Sequence, residues 1–131
     1  MTNKALWILL ACTVFAARAE PPSPEQERGY ALMVAAMLGQ AHQALVLCGL
    51  SQGNDPFFAE GNPIQQNMVI HMNRVAPDDK AFPQMFYQTY QDAFRRSNPD
   101  FSPEKCGHLD EEAVNRGKQR LLDRFAAPFG R

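Results

Sequence analysis

Apolar side chains at Tyr30, Val34, Leu38, Ala41, Leu45 and Cys48, with Met37 beside them, recur every three or four residues, the spacing of one face of an α-helix. Met33, Ala36, Ala44 and Leu47 widen the stripe, so the pattern predicts a long first helix, central and covered on more than one side. Its start lies at Ser23-Pro24-Glu25-Gln26: Ser23 serves as N-cap, Pro24 takes the first helical position, and Gln26 closes a capping box. Gly49 or Gly53 ends it.

Residues 51–62 break the periodicity with two glycines, Pro56 and Asn54-Asp55, which predicts a surface loop. The loop carries Phe57 and Phe58. Two exposed phenylalanines are costly without a partner, so both are expected to fold back on the core, with partner binding through Phe57 and Phe58 as the alternative. Asn62-Pro63 opens a second helix whose apolar face reads Ile64, Met68, His71, Met72 and Val75. Gln65, Gln66, Asn67 and Asn73 fall on its other face, and it stops before Pro77.

Asp78 or Asp79 is positioned to cap a third helix, with Phe82, Met85, Phe86, Thr89, Tyr90, Ala93 and Phe94 on the inner side and Pro83 tolerated in the first turn. Residues 97–102 interrupt the pattern. Ser102-Pro103-Glu104 then opens a short helical turn that brings Cys106 to the core, and Gly107 permits a change of direction. The last helix begins near Asp110, with Asp110, Glu111 and Glu112 in its first turn and Lys118, Arg120 and Arg124 towards its end, as the helix dipole favours. Val114, Leu121, Leu122 and Phe125 supply its buried edge, and Gly117 is expected to mark a close helix crossing. No run alternates with period two and no segment repeats. The predicted fold class is all-α, a bundle of about four helices.

The segment before Ser23 changes the setting. Lys4 precedes an uncharged run over residues 5–17, and Ala17-Arg18-Ala19 offers small side chains at the positions a signal peptidase reads. Residues 1–19 are therefore expected to be a signal peptide cleaved near Ala19, leaving residues 20–131 as a single helical domain in the periplasm or outside the cell. Thirteen residues of helix rise about 20 Å, short of a hydrocarbon core of about 30 Å, so no membrane span is expected to remain in the mature chain. Leu9-Leu10-Ala11-Cys12 resembles a lipobox, and a lipoprotein anchored through Cys12 is the alternative.

Lys4 and Arg18 leave with the leader, so the mature chain holds eleven basic against fourteen acidic residues, a net charge of about −3, with neither sign in a long block. A nucleic-acid binder would show a basic stripe, and no nucleic-acid partner is expected. Cys12 also leaves. The even pair that stays, Cys48 and Cys106, is then expected to form a disulfide in an oxidising compartment, worth about 4 kcal/mol on the chain-entropy model.

Candidate chemistry is sparse. Cys48 and Cys106 are too far apart in sequence for a dithiol redox motif, and no Cys-x-x-Cys-His or zinc-type cluster is present. Met68, His71 and Met72 share one side of the second helix and offer two thioethers and an imidazole, a ligand set suited to Cu(I), although a methionine stripe at this spacing also reads as core filler. His42 reads as a boundary residue, and a haem between Met37 and His108 has little beyond residue type behind it. Adjacent acids such as Glu111 and Glu112 point about 100° apart on a helix and so make poor acid–base pairs. No catalytic motif and no cofactor are implied.

Leu47-Cys48-Gly49 at the end of a long helix, an aromatic third helix and a second isolated cysteine resemble a family of small uncharacterised exported proteins of alphaproteobacteria with two well-separated cysteines. The likeness covers residues 30–114 and rests on the two cysteines and Gly49; Phe57-Phe58 and Ser102-Pro103 have no counterpart in it. It implies a disulfide and a Gram-negative envelope location, and it carries no activity. The expected function is a non-catalytic helical binding or accessory module with a protein partner in the cell envelope, residues 51–62 being the candidate contact; the alternative is a periplasmic copper-binding protein using Met68, His71 and Met72.

Overall fold

The computed structural model describes residues 20–126. The leader reading, including Cys12 and the cleavage near Ala19, lies outside the described residues. Within them the chain is all-α: helices α1 (Pro24–Leu47), α2 (Pro63–Val75), α3 (Phe82–Arg95) and α4 (Glu111–Arg124), with 3-10 turns at Pro56–Phe58 and Pro103–His108.

Three helix starts follow local chemistry. The Ser23 hydroxyl accepts from Gln26 N–H at 3.2 Å while the Gln26 side chain accepts from Ser23 N–H at 2.9 Å, a reciprocal capping box. Asn62 Oδ1 accepts from Gln65 N–H at 2.9 Å, and Asp110 Oδ1 from Ala113 N–H at 2.7 Å. The end of α1 falls at Gly49, the first of the two expected positions. There a left-handed φ of 72° lets Gly49 N–H reach Val46 O and Leu50 N–H reach Leu45 O, at 3.0 and 2.9 Å, a Schellman closure.

The start of α3 departs from expectation. It begins at Phe82 with Ala81 at the cap position and so has no side-chain cap; neither Asp78 nor Asp79 stands there, and the Asp79 carboxylate is paired at 2.7 Å with Arg28 of α1.

One hydrophobic cluster draws on every helix: Ala31, Val34, Ala35 and Leu38 from α1, Ile64, Met68 and Met72 from α2, Phe82, Phe86 and Tyr90 from α3, and Phe125 at the end of α4 with Leu121 and Leu122 against it. Phe58 joins it from the 51–62 loop. The helix α1 is central, touching α2, α3 and the 56–58 turn, and its main partner is α3. It is also long and apolar enough to cross a membrane by length and composition alone, with 33% of that stretch buried in the fold. Met33 and Leu47 stay mostly exposed, so its cover is less complete than the breadth of its stripe suggested.

The close helix crossing is at Gly39, not Gly117. A Cβ on Gly39 would collide with the Tyr90 carbonyl oxygen and lie 2.8 Å from Ala93 Cβ and 2.9 Å from Phe94 N, whereas one on Gly117 would meet nothing. The intimacy of α1 with α3 has a second effect. The last carbonyls of α3 lack intrahelical partners, and α1 supplies them: the Gln40 amide donates to Ala93 O, and the Gln43 amide to Phe94 O at 2.8 Å and to Arg96 O.

Gln65 is another correction. Placed on the solvent face by its pattern position, it is buried, donating to Pro83 O at 3.1 Å and accepting from Gly61 N–H at 2.6 Å, and so ties α2 to the start of α3. Cys106 sits at the half-buried rim rather than in the core, with its Cα 5.6 Å from that of Cys48 and the sulfurs at disulfide distance.

Candidate functional site

The chain leaves α1 through Cys48 and Gly49 and runs over the C-terminal half of α3 as the 51–62 loop. Three attachments fix this crossing. The first is the Cys48–Cys106 pair at its root. The second is His42, which the sequence placed at the boundary and the structure places at the centre, with no solvent exposure. Its Nε2 lies 2.7 Å from the Gln52 carbonyl oxygen and its Nδ1 against the Tyr90 hydroxyl.

A carbonyl only accepts, so Nε2 carries the proton, and a neutral ring then accepts the Tyr90 O–H at Nδ1. Both ionisations are suppressed in the sense this requires. Burial, the largest influence, pushes the imidazole pKa below its ordinary value against the opposing pull of the Gln52 carbonyl. Burial likewise raises the Tyr90 phenol, helped by Tyr87 and Asp55. Phe58 stacks on the imidazole at 4.2 Å and 8°, and Phe94 covers it at 4.7 Å. Sealed between rings, His42 serves to position Gln52 and Tyr90.

The third attachment is Asp55. Its carboxylate accepts from Lys118 Nζ at 2.8 Å, from the Ser51 hydroxyl at 2.6 Å and from Phe57 N–H at 2.9 Å. Burial alone would raise this carboxyl, but the Lys118, Ser51 and Phe57 donors outweigh it and hold the pKa at about 2. Lys118 thereby binds α4 to the loop, with its ammonium also 5.4 Å from the Phe57 ring centre and 5.9 Å from that of Phe58.

Between the fixed loop and α3 lies a cavity of about 410 Å³. Tyr87, Tyr90, Gln91, Phe94 and Arg95, on one face of α3, make one wall; Gly53, Asn54, Asp55, Phe58 and Ala59 make the other. A second, apolar groove of about 320 Å³ runs between α1 and α4, past Ala41, Leu45, Leu109 and Leu121.

The residues singled out from sequence fare differently. Phe58 is buried in the core and Phe57 is half-buried edge-on to it at 4.8 Å, so the pair anchors the loop. Met68 and Met72 are buried among apolar side chains, and His71 lies 3.0 Å from the Glu27 carboxylate, so the three do not form an open ligand set. Met37 and His108 are both exposed. Among the described residues no cluster of three or more His, Cys, Asp or Glu is placed to hold a metal ion. The cavity itself escaped sequence reasoning because its walls are 28 residues and more apart; the one available signal was the Tyr87, Tyr90, Phe94 spacing, which reads equally as core.

Comparison with known proteins gives no match: no family model fits the chain, and no curated protein or solved structure aligns with it significantly.

Proposed function

We propose that this chain is an exported, non-catalytic binding module of the cell envelope, and that it recognises its partner through the face where the 51–62 loop meets α3. One observation carries the reading: a loop of the kind that is usually mobile is held at Cys48, Gln52 and Asp55 over a cavity, by groups from α1, α4 and the 103–108 turn. A recognition surface ordered in advance loses less entropy on binding, which is a physical reason to hold a polar loop so firmly. The leader-like residues 1–19 and the paired cysteines support export into an oxidising compartment.

The test is site-specific photocrosslinking in the producing cell, with the photoreactive residue at Asn54, on the loop, or at Gln26, at the exposed start of α1. The reading predicts a discrete adduct from position 54 in the envelope fraction and none from position 26. Equal adducts from both positions would refute the assigned face. A full-length, unprocessed chain in the cytosol would refute the export half.

A further inference from the structure

The cavity beside the 51–62 loop has a recognisable chemistry, and we infer that it takes an aromatic carboxylate, the ring against the α3 side chains and the carboxylate on Arg95. The inference rests on the reading of the loop–α3 face as the binding surface and names what that face holds.

Aromatic side chains from α3 and the loop line the cavity. Tyr87 and Tyr90 lie 5.7 Å apart at 20°, Tyr90 and Phe94 6.2 Å apart at 17°, and Phe58 faces Tyr90 from the loop at 6.4 Å and 10°. Tyr90 and Phe58 are buried at the back of this ladder, and half-buried Tyr87 and Phe94 present the ring surface that a planar group can stack on. The volume, about 410 Å³, falls in the range of small-ligand sites.

The charge half is a matter of elimination. Asp55 is the acidic residue of the lining, and its carboxylate is already held by Lys118, Ser51 and the Phe57 amide. Arg95, at the far end of the same wall, enters none of the described ion pairs, and Gln91 and Asn54 add neutral amides. With the Asp55 charge balanced by Lys118, the cavity carries the uncompensated charge of one guanidinium. A planar, forked donor of this kind matches a carboxylate in two parallel hydrogen bonds. Such a ligand has two sources, a free aryl acid or the last residue of a peptide ending in phenylalanine.

The experiment is an NMR titration of the mature, oxidised chain with phenylacetate, benzylamine, cyclohexanecarboxylate, and a short peptide ending in phenylalanine with its carboxylate free or amidated. Phenylacetate is expected to shift the Gly53, Asn54 and Gln91 resonances saturably at about millimolar concentration, more strongly than cyclohexanecarboxylate and with no counterpart for benzylamine. Arg95→Gln should weaken it roughly tenfold, the scale of one charge-assisted contact. Ala59→Trp, at an exposed position on the rim, should block it without unfolding the chain. Tighter binding of the free-carboxylate peptide than of phenylacetate identifies a chain terminus as the source; the reverse order identifies a small acid. Saturable binding of benzylamine, or shifts that persist in Ala59→Trp, would overturn the ligand class. Absence of saturable shifts with phenylacetate and with the peptide would overturn it too; crosslinking from position 54 would then still stand for the surface, and its loss as well would remove both.

Discussion

The Tyr90 hydroxyl donates to Nδ1 of His42 in the interior of the protein, 48 residues away in sequence, while the other imidazole nitrogen holds the Gln52 carbonyl. This one ring therefore joins α1, α3 and the start of the 51–62 loop. Removing the donor with Tyr90→Phe leaves a buried nitrogen unsatisfied and should cost about 1–3 kcal/mol in denaturant unfolding. The pH dependence follows from the depressed imidazole pKa. The unfolded chain takes up the proton first, so the His42 contribution is complete above roughly pH 6.5 and is lost as pH falls below it. A His42→Gln variant should show a shallower loss of stability between neutral and mildly acidic pH; an unchanged slope would contradict the buried neutral imidazole.

Gly39 and Gly117 make a matched pair. At Gly39 a methyl group would meet α3 backbone, so Gly39→Ala should destabilise by about 3 kcal/mol as the two helices are forced apart. Gly117 has open space and a helical backbone, so Gly117→Ala should be neutral or stabilising by up to about 1 kcal/mol. Thermal unfolding of the two variants compares them directly. Similar effects would mean that the crossing is not where the structure puts it.

How far each feature was legible depended on the range of the interaction that decides it. The caps at Ser23 and Asn62 involve groups three residues apart and stand at the helix starts read from the sequence, while Asp110, read as a first-turn acid, is itself the N-cap. The cap expected at Asp78 or Asp79 is absent because α3 starts later, with Ala81 at its cap position, and the Asp79 carboxylate faces Arg28, 51 residues earlier. Gln65 looked solvent-facing because period 3.6 placed it off the apolar stripe, yet the chain before α2 and the start of α3 fold over its amide. His42 looked peripheral for the same reason: the Tyr90 hydroxyl that makes its burial tolerable lies on another helix. Of the candidate site, the inward turn of Phe58 was visible in the cost of exposing it, while the cavity beside it exists only where two distant segments meet.

Reducing the Cys48–Cys106 pair frees the root of the loop and lengthens the unfolded chain's options across 58 residues. The double variant Cys48→Ser, Cys106→Ser should lose about 2–4 kcal/mol, lowering the thermal midpoint by more than ~10 °C. Mass spectrometry of the chain isolated without reductant should find no free thiol at either position. Two free thiols there would contradict the oxidised assignment.

Met68 fills the core beside Ile64 and Met72, so Met68→Ala should cost about 2–5 kcal/mol through the cavity it leaves. If burial is its whole role, Cu(I) titrated under reducing conditions should behave identically with the wild-type chain and with His71→Ala, which leaves the core packing in place. Stoichiometric binding lost in His71→Ala would restore a metal role for Met68, His71 and Met72.

The proposed binding face requires the 51–62 loop to be rigid before any partner arrives. Backbone ¹⁵N relaxation of the free, oxidised chain measures this at the Asp55, Phe57 and Phe58 amides, which the structure places in hydrogen bonds to Gln52 O, the Asp55 carboxylate and Asp55 O. The predicted order parameters are about 0.85, matching the helices, with a fall in Lys118→Ala; values below about 0.6 in the unaltered protein would contradict a preformed site.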